Sequence, residues 1–214
     1  MSCCSDDGCA PQAQATGRYR TVLWIVLAIN ATLFLVEIAA GLAAGSAALQ
    51  ADALDFFADA ANYGISLFVL GRSLRWRAGA ALVKGGSMGL FGLWVIASVV
   101  WHLLEGTTPA WPMMGAVGTA ALAANLLCLA LLSAWREGDA NRRSVWICSR
   151  NDVLANLAVL AAGLGVFGTG SGWPDLAVAA AMAGLALQGA AAIVRQALAE
   201  LRPGARPAAE ALRR

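Results

Sequence analysis

Two pairs of oxygen-bearing side chains interrupt an otherwise apolar chain. Asp55 and Asp59 stand four residues apart in one hydrophobic stretch, and Asp152 and Asn156 stand four apart in another. Residues four apart share one face of a helix, so each pair aims two oxygen donors in one direction. A carboxylate at the bilayer centre costs about 2.5–3.5 kcal/mol even on the lenient insertion scales. A lone one is explained by packing; two spaced pairs are better explained as a divalent-cation site of three carboxylates and one amide oxygen. Crowded carboxylates repel one another, and either protons or a divalent cation relieves that repulsion. Competition between the two is the minimum needed for metal–proton exchange. Carboxylates suit manganese and other hard ions, whereas imidazole and thiolate suit zinc and softer ones. The structural alternative is that the pairs only hydrogen-bond between helices, which stabilises bundles modestly.

The elements that must position these pairs are membrane helices. Of 214 residues, 59% are hydrophobic and 13% charged, against about 25% charged in a soluble domain. The pattern predicts an all-α membrane protein. Net charge is +2 and the basic residues form no stripe, so nucleic-acid binding is set aside. Six stretches, near 20–44, 46–71, 79–104, 113–135, 144–168 and 174–200, are each long enough for a bilayer that takes about 20 helical residues. A small turn at Gly45 and Ser46 separates the first two, and the Gly-rich GTGSGWP at 168–174 separates the last two. Arg18 and Arg20 precede the first span. Arg72, Arg75, Arg77 and Lys84 cluster at the second connection, Arg136, Arg142, Arg143 and Arg150 at the fourth, and Arg195, Arg202, Arg206, Arg213 and Arg214 at the C-terminal end. Connections one, three and five carry no Lys or Arg, so the positive-inside rule places both termini in the cytoplasm. The expected organisation is a cytoplasmic, disordered tail over 1–18, a six-transmembrane-helix bundle over 19–201 and a short cytoplasmic tail over 202–214. Residues 1–17 lack the apolar core of a signal peptide.

The two pairs occupy equivalent helices, the second of the first three and the second of the last three. Such 3+3 halves insert with opposite topology, the inverted-repeat plan that builds sites near the midplane. Counting residues from the span ends puts both pairs roughly 12–20 Å deep. Several other residues have a possible accessory role. Cys148 lies one turn before Asp152 and could hand a softer metal to the site, or be a small buried residue. Cys128 reads as bland. Glu37 shares a face with Asn30 and Phe34, and must meet water, a polar neighbour or the ion path. Asp52 lies one turn outside Asp55 and supports the helix entrance. His102 is either interfacial or a secondary exit ligand with Glu105. In the N-terminal CCSDDGC, Cys3, Cys4 and Cys9 could capture a metal, though the spacing matches no zinc finger. Five cysteines so placed do not suggest a disulfide framework.

The run AINATLFLVEIAAGLAAGSAALQADALDFFADAANYGISLF resembles the first two helices of the cation diffusion facilitators. Asn30, Glu37, Asp52, Asp55 and Asp59 match that family's Asn, Glu and A-D-A-x-(H/D)-x-x-x-D positions. SRNDVLANLAVLAAG resembles its helix-five run, with Asp152 and Asn156 at the ligand positions. The resemblance covers residues 20 to about 200. It implies a secondary transporter, not an enzyme, that exports a divalent metal from the cytoplasm by proton antiport with alternating access. The cargo would be zinc, manganese, iron, cobalt, nickel or cadmium, the membrane a bacterial inner membrane, and the transport site Asp55, Asp59, Asp152 and Asn156. No cofactor is expected beyond the transported ion. Three departures stand out. Histidine is missing from both motifs, asparagine stands where aspartate is usual at 156, and only residues 202–214 follow the last span. The usual ferredoxin-like cytoplasmic domain is therefore expected to be absent, leaving homodimerisation to the membrane helices. Two other classes compete. One is a membrane-embedded metal sensor or metal-delivery protein working through its Cys-rich tail. The other is an intramembrane aspartyl protease using Asp59 and Asp152, for which the G-x-G-D sequence is missing.

Overall fold

In hydrocarbon every backbone N–H and C=O must find an internal partner, and a run of apolar residues answers by forming helix. Among the described residues six helices result: α1 (Gly17–Ala44), α2 (Ala47–Phe68), α3 (Leu74–Glu105), α4 (Trp111–Ser133), α5 (Ala140–Thr169) and α6 (Trp173–Leu201). The computed structural model describes residues 17–68, 74–133 and 140–201, with the side chains of 140–151 outside that description. Five of these helices hold stretches long and apolar enough to cross a membrane: Tyr19–Ala44, Ala78–Glu105, Trp111–Ser133, Asp152–Thr169 and Trp173–Leu201. The exception is α2, in which Asp52, Asp55 and Asp59 fall inside any stretch of spanning length. The most polar helix is therefore the one that most needs neighbours, and it has them: α2 packs against α1, α3, α5 and α6. The other pairings are α3 with α6, α4 with α5, α1 with α4 and α5 with α6.

The helices run a few residues beyond several expected spans. The largest difference is at α3, which begins at Leu74 rather than 79. Its added turn holds exposed Arg75 and Trp76, residue types that sit at the headgroup level and let a helix continue past the hydrocarbon. The reading of Lys84 as part of the second connection is also corrected. This residue lies inside α3, is buried, and donates a hydrogen bond to Asn62 on α2.

One end of the bundle is closed by its short connections. Gly45 adopts φ +62°, a left-handed conformation that glycine takes without steric cost. Ser46 N then donates to Gly41 O at 2.9 Å, closing α1 in a Schellman-type turn. Ala110 N donates to Ala44 O at 2.9 Å, tying the α3–α4 connection to this turn. Below it lies an apolar core drawn from all six helices, including Ala44, Leu49, Val95, Met114, Val159 and Ala179.

The start of α2 is held from outside its own sequence. Asp175, near the start of α6 and fully buried, accepts from Ser46 Oγ at 2.6 Å, Ala47 N at 2.8 Å and Ala48 N at 3.2 Å. A carboxylate at a helix N-terminus satisfies orphan amides and opposes the positive end of the dipole. Ser46 Oγ caps α2 locally by accepting from Leu49 N at 3.1 Å, but Asp175, which takes the two preceding amides, lies on another helix, so the residue pattern near α2 does not point to it. Replacing it (Asp175→Ala) strands three buried donors and should cost about 2 kcal/mol. In detergent the melting temperature should fall clearly, with partial recovery for Asp175→Asn.

Candidate metal site

Three helices bring polar side chains to one interior seam. On α2 the spacing of Asp52, Asp55 and Asp59 keeps them on one face. From α1 come Asn30 and Glu37, and from α5 come Asp152 and Asn156. Burial is graded along this seam. Glu37 and Asp52 are 0% exposed and Asn156 is 1% exposed, whereas Asp55, Asp59 and Asp152 are half-buried. On α2 itself, Ala47–Leu54 is buried, and Asp55 through Asn62 is half-buried except at Phe56. Along α2 the seam is sealed at the end holding the Gly45 turn and looser toward the other, though Asn30 and Tyr63 in that half are themselves buried.

In the looser half, Asp59 and Asp152 approach within hydrogen-bonding reach of each other across α2 and α5. Tyr63 Oη donates to Asp59 Oδ2 at 3.2 Å. Asp152 Oδ2 is buried and finds no donor among the described residues. Asp55 lies within electrostatic range of Asp52, Asp59 and Asp152. Lys84 is also within range of Asp59, from its position against Asn62. Cys128, bland by its sequence context, lies closer to the chemistry than expected. Its buried sulfur accepts from Asn30 Nδ2 at 3.7 Å and is within electrostatic range of Asp59 and Asp152. Asn30 also donates to Val26 O at 2.8 Å, and its buried Oδ1 finds no donor among the described residues.

In the sealed half, Asn156 Nδ2 donates to Asp52 Oδ1 at 3.2 Å and to Asp152 O at 3.1 Å. Asp52 and Glu37 lie within hydrogen-bonding reach of each other. The sequence suggests only a supporting place for Asp52 at the helix entrance; the structure makes it the link between Glu37 and Asn156. His102 has Thr107 as its polar partner, Nδ1 to Oγ1 at 2.6 Å, rather than Glu105, which is exposed. Cys3, Cys4, Cys9 and the side chain of Cys148 lie outside the described residues. Among the described residues, no three His, Cys, Asp or Glu side chains are gathered tightly enough to hold a metal ion as they stand.

A family model described as the cation efflux transmembrane domain matches residues 23–202, from within α1 through the end of α6. The chain belongs to the cation efflux family. Among curated proteins none matches it. As a cation efflux protein it is a multi-pass membrane protein that transports metal cations, in a family of transporters rather than typical enzymes. Its polar seam is thus set in a domain whose work is moving cations.

The register of that seam depends on how closely α1 approaches α2. A Cβ on Gly41 would stand 3.0 Å from both the backbone N and Cγ of Gln50. Backbone cannot yield as a flexible side chain can, so Gly41→Val should push α1 off α2 at a cost of about 1–3 kcal/mol. Metal flux should fall along with the melting temperature. Gly86→Val, on an open face of α3 with nothing within 4 Å, should change neither.

Proposed function

We propose that this protein exports a divalent transition-metal cation from the cytoplasm, in exchange for protons, through a midplane site of Asp55, Asp59 and Asp152 assisted by Asn156. The observation that carries the reading is that Asp59 and Asp152 lie near enough across α2 and α5 to interact, with Asp152 Oδ2 buried and no donor to it among the described residues. Two carboxylates are acceptors only. Facing each other across two helices, they need a cation or a proton between them. A doubly charged ion would take oxygens from both and draw α2 and α5 together. Protons entering from the far side would relieve the same repulsion once the ion has left.

The remaining assignments follow the same scheme. All six helices span a bacterial inner membrane as two inverted three-helix halves, with both termini cytoplasmic. The pairing pattern supports this, since α1–α2 corresponds to α4–α5 and α2–α3 to α5–α6 under exchange of halves. The Gly45 end is then the outer face, and the graded burial of α2 describes a bundle shut outside and loosened inside. A homodimer would form through the membrane helices. The all-oxygen core favours manganese or iron(II) over zinc, and no resident cofactor is required.

Two measurements test this. In proteoliposomes with an acidic lumen, manganese(II) should accumulate inside, and collapsing the pH gradient with nigericin should stop it. Asp59→Asn and Asp152→Asn should each slow accumulation by about tenfold or more without altering the melting curve. Manganese bound by the wild type but never moved by a pH gradient would replace the exporter with a binding protein.

A further inference from the structure

The sealed half of the seam contains a second set of oxygens. Glu37 Oε1 and Oε2, Asp52 Oδ2 and Asn156 Oδ1 are all buried and find no donor among the described residues. They come from three helices, α1, α2 and α5, and their residues are 0%, 0% and 1% exposed. Buried polar atoms without partners are rare in native proteins and ask for a missing ligand. The amide orientation is not arbitrary. Asn156 gives its Nδ2 to Asp52 Oδ1, and reversing it would set oxygen against oxygen.

We infer that Glu37, Asp52 and Asn156 form a second divalent-cation station, one step nearer the Gly45 end than the Asp59–Asp152 pair. A single proton shared between Glu37 and Asp52 would satisfy two of the four orphan oxygens and leave the other two stranded. A divalent ion accepts oxygens from all three residues at once, and two carboxylates balance its charge. The donor set is entirely oxygen, which matches a hard or borderline ion such as manganese(II). Asp52 and Asp59 are seven residues apart on α2, about 10 Å along the axis, so the two stations are successive stops on one path. Asn156, one turn from Asp152 on α5, borders both.

This inference shares the cation path of the proposed function but is tested without flux. The full chain is purified in detergent and titrated with manganese(II), bound ion being read by electron paramagnetic resonance. The double variant Asp59→Asn, Asp152→Asn should still bind one ion, and adding Glu37→Gln should abolish that binding. Glu37→Asp, which keeps the carboxylate one methylene shorter, should weaken it without abolishing it. Melting curves confirm that each variant is folded. A folded double variant that binds no manganese overturns the second station, as does a triple variant that binds as well as the double. Manganese binding that survives in the double variant of a protein showing no pH-driven transport upholds the station and removes the exporter reading instead.

Discussion

The structure is governed by a row of carboxylates placed where neither water nor donors are abundant. Glu37, Asp52, Asp55, Asp59 and Asp152 share one seam inside a bundle whose outer surface is apolar. Carboxylates cannot donate to one another, so each close approach is repulsive until something positive lies between. Isolated polar groups in such a place would be expelled or destabilise the bundle. The surrounding helices resist both outcomes, because α2 is held by four neighbours and its first turn is capped by Asp175 on α6. Packing thus sustains an electrostatic demand that only a bound cation or a proton can meet.

Much of this is legible in the residue pattern, for a plain reason. A carboxylate in an apolar helix is so costly that its presence is informative, and helical spacing then says which carboxylates share a face. Asp55, Asp59, Asp152 and Asn156 stand out on those grounds alone, and the helix count follows from length and hydropathy. What stays hidden is what depends on depth and on contacts between helices. Lys84 looks like a loop residue when positive charges are merely counted, yet it lies inside α3 against Asn62. Cys128 looks like filler in an apolar run, yet α4 sets it beside Asn30. Asp175 caps a helix well over a hundred residues away in sequence, and no local signal announces it. Asp52 and Glu37 are both visible, but their juxtaposition requires knowing that Gly41 lets α1 lie directly on α2.

The division of the seam into a sealed and a loose half has a mechanical counterpart. The sealed half lies under a core built from all six helices and tied by hydrogen bonds between connections, including Ala110 N to Ala44 O. Among the described residues two further core clusters are smaller, one from α1, α2 and α4 through residues such as Tyr19, Val26, Tyr63 and Leu132, and one from α2, α3 and α6 through Leu54, Met88 and Ala190. Well-packed interiors move as units rather than deform gradually. In the proposed exporter, movement would fall at the end where Asp59 and Asp152 sit, away from the largest core. In the proposed transport cycle access would reverse only if the larger core parted, and Asp175 holds α2 to α6 at that core's edge.

Charge balance adds a further condition. Along the seam the described residues supply five carboxyls, from Glu37, Asp52, Asp55, Asp59 and Asp152, and one ammonium, from Lys84. Fully ionised, five negative charges less one positive leave an excess of four. One divalent ion removes two of them. Residual charges some 4–10 Å apart repel by about 2–4 kcal/mol at an effective dielectric of about 20. Under the proposed exchange the remaining excess would be met by mobile positive charge, and protons are the source available on both sides of a membrane. In that proposal an arriving ion would displace some of that charge, and a departing ion would draw it back. Lys84 would shift that balance without entering it, since its ammonium is engaged by Asn62. Removing that ammonium would leave the seam one charge more negative and hold any cation more tightly, which favours capture and opposes release.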